Sequence, residues 1–162
     1  MKNNNSLRQT IITALESDLA AAAKAAESAR QTATHKESVA ENKYDTFGLE
    51  ASYLAHGLSM RAEQSLQAIA AYTSLPFKEF NNNDPIALTA LVTVLTESDE
   101  EKVFFIGPES GGVTFSWQGK NVMVITPKTP LGQKLMGKRV DDTVKITVAG
   151  KPVSYEILKL EN

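Results

Sequence analysis

The 162 residues contain no cysteine, so a disulfide, a thiolate metal site and a cysteine nucleophile are all excluded. No proline occurs before Pro76, and only Gly48 and Gly57 of the nine glycines precede it. An excess of one charge is missing too. Lys and Arg total 17 against 19 Asp and Glu, a net charge of −2, which argues against attachment to nucleic acid by bulk positive charge. No apolar run nears the roughly eighteen residues of a membrane span. The apolar stretch 19–23 is flanked by Glu16, Asp18 and Lys24, unlike a signal-peptide core. A cytoplasmic chain without membrane attachment is expected. The motifs of autonomous catalysis are absent as well: no Gly-rich phosphate loop, no G-x-S-x-G elbow and no H-E-x-x-H. His35 and His56, the two histidines, read as surface positions.

The proline and glycine placement divides the chain in two. Residues 6–75 are rich in Ala, Leu, Gln, Glu and Lys, good helix formers, whereas residues 86–162 are rich in Val, Ile, Thr and Phe. Between them lies the polar run Asn81-Asn82-Asn83-Asp84. The expected division is a helical part at 1–78, a linker at 79–84 and a second domain at 85–162.

In the first part, Ile12, Leu15, Leu19, Ala22, Ala26, Ala29 and Ala33 follow a 3-4 heptad spacing. Phe47, Ala51, Leu54 and Leu58 keep the same spacing, and Ala62, Leu66, Ile69 and Tyr72 continue it loosely. The polar stretch 35–43 separates the runs. Two arms of about 30 residues, each about 45 Å long, predict an antiparallel helical hairpin. Such a hairpin buries its seam without a second chain, so a monomer is expected. Gly57 is a weak point in the second arm with no evident purpose.

The second part predicts a small antiparallel sheet, which makes the whole chain α+β. Strands are expected at 88–96, 102–106, 113–117, 122–126, 143–148 and 154–160, with Trp117 on or beside the sheet. Thr129-Pro130 reads as an N-cap followed by proline at the first helical position, and Gly137 as a stop. That spacing predicts one short helix over 130–136, with Leu131 and Leu135 facing the sheet.

One acidic cluster falls where the hairpin turns: Glu37, Glu41 and Asp45. Glu41 and Asp45 are four apart and share a face if the second helix has begun. Two carboxylates suit a divalent cation but fall short of a full oxygen shell, so a partner would have to complete it. Acids in the first turn of a helix also simply complement its dipole. The runs 97–101 and Lys134, Lys138 and Arg139 read as a solvated turn and a solvated basic rim.

The segment from Val124 to Lys138, VITPKTPLGQKLMGK, resembles the bacterial Gre transcript-cleavage factors in its strand, small-residue-Pro turn, short helix and Leu-x-Gly-Lys. Asp141-Asp142-Thr143-Val144, Tyr155-Glu156-Ile157-Leu158, and Val92 to Leu95 followed by Ser98 to Glu101 extend the likeness over about 85–160. At the tip, Glu41-Asn42 followed by Tyr44 is similar to that family's Glu-Asn…Tyr segment.

The resemblance implies an FKBP-like second domain docking on RNA polymerase, with Pro130, Leu131, Gly132, Leu135, Gly137 and Lys138 as its partner-binding residues. It implies a hairpin entering the secondary channel, and an accessory factor with no cofactor of its own. RNA and DNA are met only within the transcription complex. Tip carboxylates, here Glu41 with Glu37 or Asp45, would help the polymerase hold a second magnesium ion for cutting backtracked RNA. The family carries Asp and then Glu three residues later, whereas Ser38 stands three residues before Glu41. Either Glu37 serves in a re-registered loop, or the chain is a secondary-channel regulator that does not promote cleavage. Rival readings are a proline isomerase, suggested by the FKBP-like shape although shape alone does not carry that activity, and a plain helical interaction module.

Overall fold

The computed structural model describes residues 2–35 and 46–162. Glu37, Glu41 and Asp45 therefore lie outside the described residues. Two long helices, α1 (Lys2–Thr34) and α2 (Phe47–Ser74), form the N-terminal hairpin and precede six strands and one short helix. By contact the chain makes two compact units. One is Leu15–Ala70; the other joins Met1–Ala14 to Ala71–Asn162.

Within the first unit the α1 seam is as its spacing predicts: Leu15, Ala22 and Ala29 are buried, and Leu19, Ala26 and Ala33 half-buried. The α2 seam differs. Phe47, Leu54 and Leu66 are more than half exposed, while Ser65 and Ala68 are buried and Ala51, Ala55, Leu58 and Ala62 half-buried. At about 100° per residue, Leu54 and Leu66 lie roughly 60° to either side of a line through Ala51, Leu58, Ala62 and Ile69. The seam thus runs along small side chains opposite the alanines of α1. Alanine on both sides underfills the contact, leaving a shallow groove lined by Ala23, Ala26, Ala55, Ser59, Ala62 and Leu66. Asp18 and Arg61 bridge the helices at 2.8 Å. On α1 alone, Arg30 pairs with Glu27 at 2.8 Å. Hydrogen bonds from Arg30 and then Gln31 hold the Glu27 carboxyl down to about 2.

The second unit is built on one sheet. Its strands are β1 (Leu91–Thr96), β2 (Glu101–Ile106), β3 (Thr114–Trp117), β4 (Lys120–Ile125), β5 (Thr143–Val148) and β6 (Lys151–Glu161), in the spatial order β3-β4-β2-β1-β6-β5. The sheet is mixed rather than wholly antiparallel: β2 and β4 run parallel, with Phe105 opposite Val124. The segment after Ile106 crosses to the edge first, and the β3–β4 hairpin then folds back so that its second strand meets β2. Gln118-Gly119 and Ala149-Gly150 both carry positive φ at both positions, the backbone of the tight hairpin turns that match strand twist. β1 starts three residues later than expected because Thr89 sits at φ 76, outside the strand region.

Alternation along the strands gives the sheet two apolar faces. Val92, Val94, Phe104, Ile106, Ile125, Val144 and Ile157 pack with Ile86 and with Leu131 and Leu135 of α3 (Pro130–Leu135). On the other face Phe105 stacks on Phe77 (ring centroids 5.7 Å) and meets Tyr72 and Phe115 at 6.2 and 6.4 Å. Spacing alone assigns Tyr72 to the helical seam; it is instead fully buried here, its hydroxyl donating to the Glu109 carbonyl at 2.9 Å. Arg8 of α1 lays its guanidinium 4.9 Å above the Phe77 ring and donates to the Leu75 carbonyl. The first turns of α1 thus belong to this unit, with Leu7 and Ile11 buried completely.

Candidate functional site

The segment from Thr126 to Arg139 is where local sequence and local structure agree most closely. The Thr126 carbonyl accepts from both the backbone N–H (3.0 Å) and the hydroxyl of Thr129. The Thr129 oxygen in turn accepts from the Gly132 N–H at 3.1 Å, an N-cap that satisfies one of the open donors of α3. Pro130 follows at the first helical position, where a missing N–H costs nothing. Gly132 is buried, and only glycine fits there, because a β-carbon would stand 1.9 Å from the Thr126 carbonyl oxygen. At the far end Gly137 adopts φ 77 and donates its N–H to the Ile86 carbonyl, while Ile86 donates back to Lys138.

This geometry sorts the six expected partner-binding residues. Leu131, Gly132 and Leu135 are turned into the domain's own core. Their contribution to any docking is to hold the segment in shape. Pro130, Gly137 and Lys138 are exposed, together with Gln133, Lys134 and Arg139, so the segment presents a basic rim. Arg139 is tied down, its backbone N–H donating to Asp142 at 2.8 Å and its guanidinium to the Asn83 carbonyl. Lys128 pairs with Glu109 at 3.6 Å across exposed surface. Trp117 is half-buried at the end of edge strand β3, and His35 and His56 are exposed.

Among the described residues no group of three or more His, Asp or Glu is placed to hold a metal ion. No described helix is long and apolar enough to cross a membrane. One feature that the heptad spacing does not single out stands out on α2. Leu49, Tyr53, His56 and Met60 form a second stripe at 4-3-4 spacing, on solvent. The spacing is legible in the sequence; its exposure is not.

Residues 81–162, just over half of the chain, match the family described as transcription elongation factor GreA/GreB, C-terminal. Among solved structures, the chain is similar to GreA factor homolog 1 (Gfh1) of Thermus thermophilus, at 19% identity. That match covers 93% of this chain and 94% of the other, with a TM-score of 0.39. Gfh1 of Thermus aquaticus is similar at 18% identity, covering 100% and 96%, with a TM-score of 0.41. The GreA/GreB factor of Nitrosomonas europaea is similar at 17%, covering 70% and 93%, with a TM-score of 0.36. The matched residues take in the whole six-stranded sheet and the capped α3 segment, and they make the chain a member of the GreA/GreB family of transcription elongation factors.

Proposed function

We propose that this chain is an accessory factor of RNA polymerase, not itself an enzyme, that docks through residues 85–162 and presents its hairpin tip through the secondary channel to the active centre. The observation that carries the reading is the family match over residues 81–162, joined in one chain to a helical hairpin. Within the hairpin unit, Leu15–Ala70, the helical arms are about 30 and 36 Å long, and that length is the reach the reading uses. On this reading the exposed Pro130, Gly137 and Lys138 meet the polymerase, nucleic acid is met only within the transcription complex, and the factor works as a cytoplasmic monomer.

At the centre, Glu41 with Glu37 or Asp45 stimulates cleavage of backtracked RNA. Carboxylates are the hard oxygen donors that magnesium takes, and two are short of its octahedral set, so the polymerase supplies the rest. Held by these carboxylates together with the polymerase, a second magnesium would supply positive charge for activating a water and for stabilising the leaving oxygen. The factor's own part is to bring the carboxylates there and orient the water.

Ser38, at the position where the family carries its first acid, favours a second reading: a secondary-channel regulator that does not promote cleavage. RNA cleavage in a stalled, backtracked polymerase complex with magnesium separates the two. Faster release of 3′ fragments on adding the protein supports cleavage stimulation. An unchanged or slower rate, with the protein still bound, supports the second reading. Failure to bind polymerase at all defeats both.

A further inference from the structure

Between α2 and β1 the chain forms neither helix nor strand, and Lys78, Glu79, Asn81, Asn82 and Asn83 are exposed. Only the half-buried Phe77 and Phe80 give this stretch an apolar hold. Backbone of that kind ordinarily bonds to water. Here it is bonded to the sheet unit instead, mostly through side chains. The Lys78 N–H donates to the Thr89 hydroxyl at 3.1 Å, and the Lys78 carbonyl accepts from the Asn162 amide nitrogen. The Phe80 N–H donates to the Asn162 amide oxygen at 3.2 Å. One side chain thus serves a carbonyl and an N–H two residues apart, as the peptide group of a neighbouring strand does. Farther along, β6 outruns β5, whose pairing ends at Glu156, and the Leu160 N–H donates to the Asn82 side chain at 3.0 Å.

We propose that residues 77–84 are a strap clasped onto the sheet by Asn162 and Thr89, a fixed part of that unit and not a free linker. Thr89 carries the second observation. It is buried, β-branched and at φ 76, a backbone that such residues rarely adopt and that persists only where the surroundings over-determine it. All three of its polar groups are engaged. Its N–H donates to the Ile106 carbonyl at 2.8 Å, its carbonyl accepts from the Asn162 amide at 3.2 Å, and its hydroxyl accepts from Lys78. Asn162 and Thr89 therefore hold each other as well as the strap. The inference concerns this chain alone and stands whether or not the reading under Proposed function does.

The test measures backbone order parameters of the full chain by nitrogen-15 relaxation. In wild type, residues 78–83 are expected near about 0.85, the value of rigid backbone, as are Val94 and Phe105 in the sheet. Asn162→Ala removes three hydrogen bonds at once. It is expected to drop residues 78–83 below about 0.6 while Val94 and Phe105 keep their values. Values below about 0.6 at 78–83 in wild type would show a free linker and overturn the proposal. Unchanged order at 78–83 in Asn162→Ala would overturn the role of Asn162 as the clasp. If that variant loosens Val94 and Phe105 as well, Thr89→Val decides, since it keeps the buried shape and removes only the acceptor of the Lys78 N–H. Lower order at Lys78 with Phe80 unchanged supports the clasp, and unchanged order at Lys78 overturns it.

Discussion

Gly132 stands against the backbone of Thr126 so tightly that a β-carbon on residue 132 would lie 1.9 Å from the Thr126 carbonyl oxygen and 2.8 Å from its carbon. The neighbour is backbone and is already held by two hydrogen bonds from Thr129, so it cannot give way. Gly132→Ala is expected to destabilise the chain by about 3 kcal/mol, read as a lower midpoint in chemical denaturation. Gly137→Ala meets open space but keeps φ 77, and its expected cost is about 1–2 kcal/mol.

The cap on the same segment gives a graded prediction. Thr129→Ala removes the acceptor of the Gly132 N–H and is expected to cost about 1 kcal/mol, while Thr129→Ser keeps the oxygen and most of the stability. Equal losses for both variants in denaturation would show that the methyl group, not the hydrogen bond, matters.

Two groups are expected to make stability depend on pH at opposite ends, the solvent-exposed Glu27 only weakly. Burial pushes the Tyr72 phenol up, so its contribution is complete below its unfolded value near 10 and is lost as pH rises beyond that. Tyr72→Phe is expected to cost about 1 kcal/mol at neutral pH by leaving the Glu109 carbonyl without its donor, and to flatten the alkaline loss. Glu27 is held down to about 2 from 4.5, so its pairing with Arg30 is present above pH 4.5 and lost as pH falls towards 2. Thermal midpoints across pH, with Glu27→Gln as control, check both signs.

Gly57 supplies a prediction of the opposite direction. It lies in the interior of α2, exposed, and a β-carbon added there would meet nothing within 4 Å, so Gly57→Ala is expected to stabilise the hairpin by about 1 kcal/mol. A fall in thermal midpoint would contradict this.

The parts of the fold that are legible in the sequence are those that local chemistry dictates. Thr129, Pro130 and Gly137 mark the start and stop of α3 because an N-cap, a proline without an N–H and a left-handed glycine each suit one position of a helix end. The α1 seam is legible because Ile12, Leu15 and Leu19 set its phase before the alanines begin. Alanine itself carries no phase, and on α2 the large side chains point to Leu54 and Leu66 when Ala55, Ser65 and Ala68 take the inner positions. The parallel pairing of β2 and β4 is a property of strand order, which no local spacing encodes. Of the candidate site, the core role of Leu131 and Leu135 is legible; the burial of Gly132 is not, since glycine at a helix start also reads as simple flexibility.

At the tip, Glu41→Ala is expected to leave affinity for RNA polymerase within twofold of wild type while abolishing any stimulation of RNA cleavage. The paired variants Glu37→Ala and Asp45→Ala identify its partner carboxylate by which of them reproduces that loss. Weakened binding by Glu41→Ala would argue for a docking role at the tip instead.

The claim that the tip reaches the catalytic centre is tested most directly by replacing the polymerase's active-site magnesium with ferrous iron and mapping where locally generated radicals cut the bound, end-labelled chain. The account predicts cuts clustered around residues 37–45. A bound chain left uncut there, or cut only within residues 85–162, would contradict it.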